Sequence, residues 1–288
     1  MSHLPAERCL GIIELLADGA REMPLGDIAD GLDLPKSGAH RLLATLVDLG
    51  WAEQDRETGF YRLTMRLAVL GQRFYVASGL PDICQPVIDR FAHECREFAR
   101  LAVVDGSSLV WIAHAQGAAG GLLYQPAETT GTVPLFATAT GKAWLATLEP
   151  NDAVQHVAKQ GGFSKADRYG PNVIRSIDAL LKELRATTRR GYGLAFNEAE
   201  PGVTAIAAAI RSGGDKATVG TVSIAGPSAR MTESRVRELS PLVTQCAAEL
   251  STLWPVRPRP STVPGLDKRG RARSNGQQRT KGAAAKAA

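Results

Sequence analysis

Two changes of pattern along the chain predict an α+β fold in two parts. Over residues 5–63, three stretches of helical periodicity are followed at once by two strand-like runs around a polar turn. From Asp82 onward, short β-rich runs joined by hairpin chemistry stand apart from blocks of helical periodicity, which favours an antiparallel sheet flanked by helices.

Taken in order, Cys9, Ile12, Ile13 and Leu16 are spaced for a first helix that ends near Asp18-Gly19. Leu25, Ile28, Ala29 and Leu32 make a second, shorter apolar face, and Gly31-Leu32-Asp33-Leu34 leaves room only for a sharp turn. Pro35–Gly50 then carries Leu42, Leu43, Leu46 and Leu49 on one face, with Ser37, His40, Arg41, Thr45 and Asp48 on the other. Proline is tolerated in a first helical turn because its missing N–H has no intrahelical partner there. The early amides, with Lys36 and Ser37, then sit at the positive end of the helix, which suits a phosphate.

Two short helices joined this way form a helix-turn-helix, or else a packed pair in an ordinary helical domain. The run Trp51–Leu63, WAEQDRETGFYRL, favours the first reading because it adds a hairpin closed by Gly59, completing a winged helix-turn-helix over 5–63. In that reading Lys36, Ser37, His40, Arg41 and Thr45 face the DNA groove, and Arg41 can bind a phosphate or a guanine edge.

Met65–Ser78 follows without a breaker, with Leu67, Leu70 and Phe74 on one face, so residues 64–80 are expected to be a linker helix jointed at Gly79-Leu80-Pro81. The second domain, 81–254, opens on a helix over Ile83–Phe98, then strands Ala99–Val104 and Leu109–His114 around Asp105-Gly106-Ser107-Ser108. Further strands are expected at Leu122–Gln125, Gly193–Asn197, Val203–Arg211 and Thr218–Ala225. Helices are expected at Thr140–Leu148, Asn151–Gln160, Ser176–Arg190 and Thr232–Leu253. Residues 255–288 have almost no large apolar side chains and read as a disordered basic tail.

Charge is unevenly placed. From Val256 onward nine Lys or Arg face one acid, a net of +8, so the preceding residues carry −3 of the chain's +5. Residues 1–64 hold six basic and eleven acidic side chains, which argues against indiscriminate DNA adhesion, yet Pro35–Val47 contains no acid at all. The tail either supplies the missing non-specific attraction or is a solubilising extension. Cys9, Cys84, Cys95 and Cys246 form no C-x-x-C pair and have no His at ligand spacing, so they read as small buried residues, with neither metal nor cofactor expected. No apolar run approaches the roughly 18 residues of a membrane span and no export signal opens the chain, so the expectation is a cytoplasmic protein without a membrane partner.

The chain resembles the IclR family of bacterial transcriptional regulators. The likeness rests on ERCLGIIELLAD, on LGDIADGLDLPKSGAHRLLATLVDLGWAE and on YRLTMRLAVLG. In the second domain it rests on VPLFATATGKAWLATL, the RRGYGLAFNEAEPGVTAIAAAI block and GTVSIAGPSAR. It implies a homodimer or tetramer that binds operator DNA, represses or activates a catabolic operon, and carries a GAF-like effector-binding domain.

Ala137–Lys142, ATATGK, precedes a helical run, and free amides at such a helix start form a carboxylate site. The resemblance places those donors at Ala139 and Thr140, and plain N-capping by Thr138 or Thr140 is compatible with that role. The string is no phosphate-binding loop, because Phe136 stands where Gly is needed and Ala143 where Ser or Thr is needed. The resemblance puts other pocket positions at Ala195, Ala205, Ser223 and Ala225, where acid-binding members carry an Asp, a Cys and two Ser. The loss of three polar groups implies a larger, partly apolar acid, such as an aromatic one, with its body against Leu123, Tyr124 and the three alanines.

An enzyme acting on a small organic acid is the main rival. His3, His40, His93, His114 and His156 show no pairing with Ser or Cys, and Ser212-Gly213-Gly214-Asp215 reads as a turn. An architectural DNA-binding protein without an effector would leave the second domain unexplained.

Overall fold

The computed structural model describes residues 5–18, 22–119, 123–126, 131–213 and 217–254, so the basic tail lies outside the described residues. Helices α1 (Pro5–Ala17), α2 (Leu25–Gly31) and α3 (Lys36–Asp48) are followed by β1 (Ala52–Gln54) and β2 (Tyr61–Leu63). Their apolar faces meet in one small core of Ile12, Leu16, Ile28, Leu43, Leu46, Ala52 and Tyr61. The tight α2–α3 turn is made by Asp33, held at φ +52°, with Leu34 N–H donating to Ala29 O at 2.8 Å. Leu49, expected on the inner face of α3, is exposed: the helix stops one residue earlier, and Gly50 at φ +72° turns the chain away. In the hairpin, Asp55 Oδ1 accepts the N–H groups of Glu57 and Thr58 at 2.9 and 2.8 Å, and these bonds hold its carboxyl below the usual range.

The linker is a helix, α4 (Arg66–Ala77), none of whose residues is buried; Phe74 is 66% exposed. The next helix, α5 (Leu80–Cys95), begins and ends three residues before the expected Ile83–Phe98. Gly79 at φ +70° restarts the chain so that Leu80 is buried, and Arg96 at φ +55° ends the helix early enough for Phe98 to enter a strand.

The six-stranded antiparallel sheet comprises β3 (Phe98–Asp105), β4 (Ser108–Gln116), β5 (Gly131–Thr132), β6 (Gly193–Phe196), β7 (Val203–Arg211) and β8 (Thr218–Pro227). Its order is β5-β4-β3-β8-β7-β6. Leu123–Pro126 is not a strand, and Leu122 lies outside the described residues. The outer edge of β4 is taken by β5 instead, and Tyr124 O accepts from the Gln116 side chain at 2.9 Å rather than from a ladder. The remaining helices are α6 (Ala139–Leu145), α7 (Pro150–Lys159), α8 (Ile177–Arg190) and α9 (Glu233–Leu253). β5 and the 3-10 turn Ala166–Arg168 are too short to have a periodicity of their own.

Strand alternation sorts the sheet into two unlike faces. Ala99, Leu101, Ile206, Ala208, Ile210, Val222 and Ile224 pack on α5 and α9 in the largest core. The opposite face carries Phe98, Arg100, Ala205, Ala207, Thr221, Ser223 and Ala225 by the same alternation. Over this face α6 lies backbone-close: a Cβ on Gly193 would stand 2.3 Å from Ala139 O, and one on Gly141 would stand 2.2 Å from Leu135 O. Only glycine permits either approach.

Candidate nucleic-acid interface and effector site

On α3 the buried side chains are Ala39, Leu43 and Leu46, while Lys36, Ser37, His40, Arg41 and Thr45 are all exposed. Pro35 caps the helix, and its carbonyl accepts from Gly38 and Ala39 at 2.8 and 3.0 Å. The Lys36 and Ser37 amides have no partner among the described residues. Thr45 Oγ1 donates back to Arg41 O at 3.0 Å, which leaves its oxygen available as an acceptor. No carboxylate among the described residues pairs with Lys36 or Arg41. On the neighbouring hairpin, by contrast, Arg62 is held by Glu53 and Glu22, the ion pairs that push its pKa up. This exposed face is thus one helix end with free amides, two uncommitted cations and short polar groups, a donor set that suits phosphates and base edges.

The second site is built on the small-residue face of the sheet. Ala195, Ala205, Ala225 and Phe98 form one row across β6, β7, β8 and β3, and Ala207, Ser223, Arg100 and His114 form the next across β7, β8, β3 and β4. Ala139 and Ala143 of α6 pack on Ala195, Ala205 and Ala207. Thr138 Oγ1 accepts from Gly141 N–H at 2.9 Å, so the helix is capped, yet the buried amides of Ala139 and Thr140 have no partner among the described residues. Tyr124 packs with Phe98 and Ala225, its ring edge-on to Phe98 at 5.9 Å. Leu123 stands apart, half exposed.

Sequence reasoning passed over Arg100. It is only 8% exposed, and its Nε has no hydrogen-bond partner. The guanidinium lies 4.0 Å from the Trp111 ring centroid and 5.7 Å from that of Phe98. Burial pulls its pKa down, opposed by the nearby Tyr124 hydroxyl and by Glu200. Tyr124, whose own pKa burial raises, donates to Glu200 Oε1 at 2.8 Å, and Glu200 itself is exposed. Two more buried polar atoms near this face lack partners, Trp111 Nε1 and Thr221 Oγ1. The signal was present in FARLAVVD, where one arginine interrupts an otherwise apolar strand.

Known proteins place this arrangement. Residues 75–252 match the model of the bacterial transcriptional regulator IclR C-terminal domain, and residues 5–56 match that of the IclR helix-turn-helix domain. The chain belongs to the IclR family. It is 30% identical over 245 residues to the HTH-type transcriptional regulator BhcR of Paracoccus denitrificans, covering 85% of each chain. It is 28% identical over 247 residues to the transcriptional repressor IclR of Escherichia coli, covering 86% of this chain and 88% of that one. Among solved structures, an IclR homolog from Microbacterium hydrocarbonoxydans complexed with 4-hydroxybenzoate superposes with a TM-score of 0.68 at 25% identity, covering 86% of this chain and 98% of that one. As an IclR-family member the protein is a transcriptional regulator with a DNA-binding domain and an effector domain, not an enzyme.

Two further features of this IclR-family domain are structural. Lys142, 1% exposed, sends Nζ to Leu194 O at 2.9 Å and to the Glu198 carboxylate at 2.5 and 2.6 Å. This ties α6 to the β6–β7 connection; burial raises the Glu198 pKa and Lys142 opposes the rise. A cavity of about 470 Å³ also opens between α6, α8, α9 and β7, and none of the sequence-named effector residues lines it. Its hydroxyls are already bonded: Thr147 to Trp144 O, Thr188 to Leu184 O, Thr244 to Ser240 O and Ser251 to Ala247 O. None of these cavity side chains is a buried polar group without a partner, whereas Arg100, Trp111 and Thr221 on or beside the sheet face are, so that face is the better effector candidate. Among the described residues no three His, Cys, Asp or Glu are grouped to hold a metal, and no helix is long and apolar enough to cross a membrane.

Proposed function

We propose that this IclR-family protein regulates a catabolic operon in response to a small organic acid with an apolar, aromatic body. The observation that carries the reading is the pair of buried, unpartnered amides of Ala139 and Thr140, set beside three alanines where polar side chains would narrow the choice to two- or three-carbon acids. The acid rests its carboxylate on those amides and its body against Tyr124, Ala195, Ala205 and Ala225, with Ser223 as a polar contact and Leu123 at the margin. The Microbacterium relative bound to 4-hydroxybenzoate supports an aromatic occupant. Thermal-shift screening of aliphatic against aromatic acids tests this. Stabilisation by benzoate-like acids is expected, and stabilisation only by two- or three-carbon acids would overturn it.

The regulator acts as a homodimer, and the exposed Val69, Leu70, Phe74 and Val76 of α4 supply the apolar contact between copies. Each dimer presents two copies of α3 to a pseudopalindromic operator, with Lys36, Ser37, His40, Arg41 and Thr45 toward the groove. The effector acts by favouring one relative placement of the two winged domains, so saturating acid must change operator affinity. Equal affinity with and without it would remove the coupling. Sedimentation of Phe74→Glu is expected to show monomers, and an unchanged dimer would move the interface elsewhere.

A further inference from the structure

Outside the amides of Ala139 and Thr140, the polar atoms on or beside the small-residue face point to a second charge on the ligand. Arg100, Trp111 and Thr221 are each more than nine-tenths buried, and each holds a polar atom without a partner. Ser223, between Arg100 and Ala207 on the sheet, has a hydroxyl that makes no hydrogen bond among the described residues. A buried guanidinium with an idle Nε is costly unless something anionic completes it. The Tyr124 hydroxyl and the carboxylate of Glu200 favour the charge in part, but Glu200 is exposed and bonded to Tyr124, and Nε stays without a partner. The guanidinium carbon lies 4.0 Å from the Trp111 ring centroid, and a guanidinium that keeps Nε–H unbonded suits the charged hydrogen bond of a carboxylate.

We infer that Arg100, assisted by Trp111 Nε1 and the Thr221 and Ser223 hydroxyls, binds a second carboxylate, so that the effector is a dicarboxylic acid. This rests on the reading above, in which the first carboxylate sits on the Ala139 and Thr140 amides. Ala139 packs on Ala207, and Arg100 lies two strands from Ala207, a separation of about 10 Å before the reach of the arginine side chain is subtracted. A benzene dicarboxylate or a medium-chain aliphatic diacid bridges what remains.

The test compares matched acids on the full-length protein by calorimetry: benzoate against benzene-1,4-dicarboxylate, and hexanoate against hexanedioate. Each diacid is expected to bind more tightly than its monoacid by a factor on the order of 10 to 100, the range of a charged hydrogen-bonded partner. Arg100→Met should erase that difference by weakening the diacid to the level of its monoacid, and urea unfolding of the unliganded variant reports that it is folded. Should Arg100→Met not fold, Thr221→Val is read in its place and should narrow the difference. Equal binding of monoacid and diacid to the wild type overturns the inference and leaves the single-carboxylate reading standing. A difference that survives both substitutions also overturns it. Loss of monoacid binding in Arg100→Met would show one carboxylate carried by Arg100 alone, again against two ends. If neither class binds the wild type, the effector reading and this inference fall together.

Discussion

The α3 surface and the small-residue face of the sheet both hold cations without carboxylate partners, but water treats them differently. Lys36 and Arg41 are exposed, so solvent satisfies them and their freedom costs almost nothing. Arg100 is desolvated, and nothing in the fold repays the loss in full. An exposed free cation therefore becomes informative only through its place at the front of a helix-turn-helix, whereas a buried one is informative by itself. Lys142 supplies the control, being as buried as Arg100 but fully paired.

The comparison breaks first at Lys142. Lys142→Met leaves Glu198 buried without its cation and should lower unfolding free energy by roughly 3–5 kcal/mol in urea denaturation. A loss under about 1 kcal/mol would mean that the pair is solvated in solution and that water reaches the groups buried near α6. Next in size is Arg41→Ala, expected to weaken operator binding by about 1–3 kcal/mol in a fluorescence titration if the side chain reads a base edge, with no change in melting temperature. Unchanged affinity would mean that α3 is not the reader. Thr138→Ala should cost about 1 kcal/mol of stability through the lost cap on Gly141, while acid binding through the neighbouring amides persists. If binding vanished with stability intact, cap and carboxylate site would be one device rather than two.

Much of this was legible in the sequence where periodicity and turn chemistry agree. The helix pair with its hairpin, the β3–β4 turn at Asp105–Ser108 and the span Val203–Arg211 follow from apolar spacing and small turn residues alone. The shift of α5 was not legible, because Leu80 and Phe98 are apolar in either reading and the boundary is set by Gly79 and Arg96 adopting left-handed backbone. Leu123 and Tyr124 look like strand residues, and only the occupied edge of β4 decides otherwise. For the candidate sites, the exposed polar residues of α3 were readable as one helix face. Arg100 was not singled out because a lone arginine in a strand reads as an edge or solvent residue until the sheet order shows β3 at its centre, between β4 and β8.

The smallest expected effect discriminates most sharply. In the unliganded protein Arg100→Met removes a desolvated charge and keeps an apolar stem of similar length against Trp111 and Phe98. What is lost is a stacking term of about 0.5–2 kcal/mol; what is gained is release from a desolvation of similar or larger size that Tyr124 and Glu200 offset only in part. Urea unfolding of the unliganded variant should therefore match the wild type within about 1 kcal/mol or exceed it, the opposite sign to Lys142→Met. A destabilisation as large as that of Lys142→Met would mean that Arg100 is a structural strut, with a partner inside the fold that completes it, and the contrast between paired and unpaired buried cations would disappear.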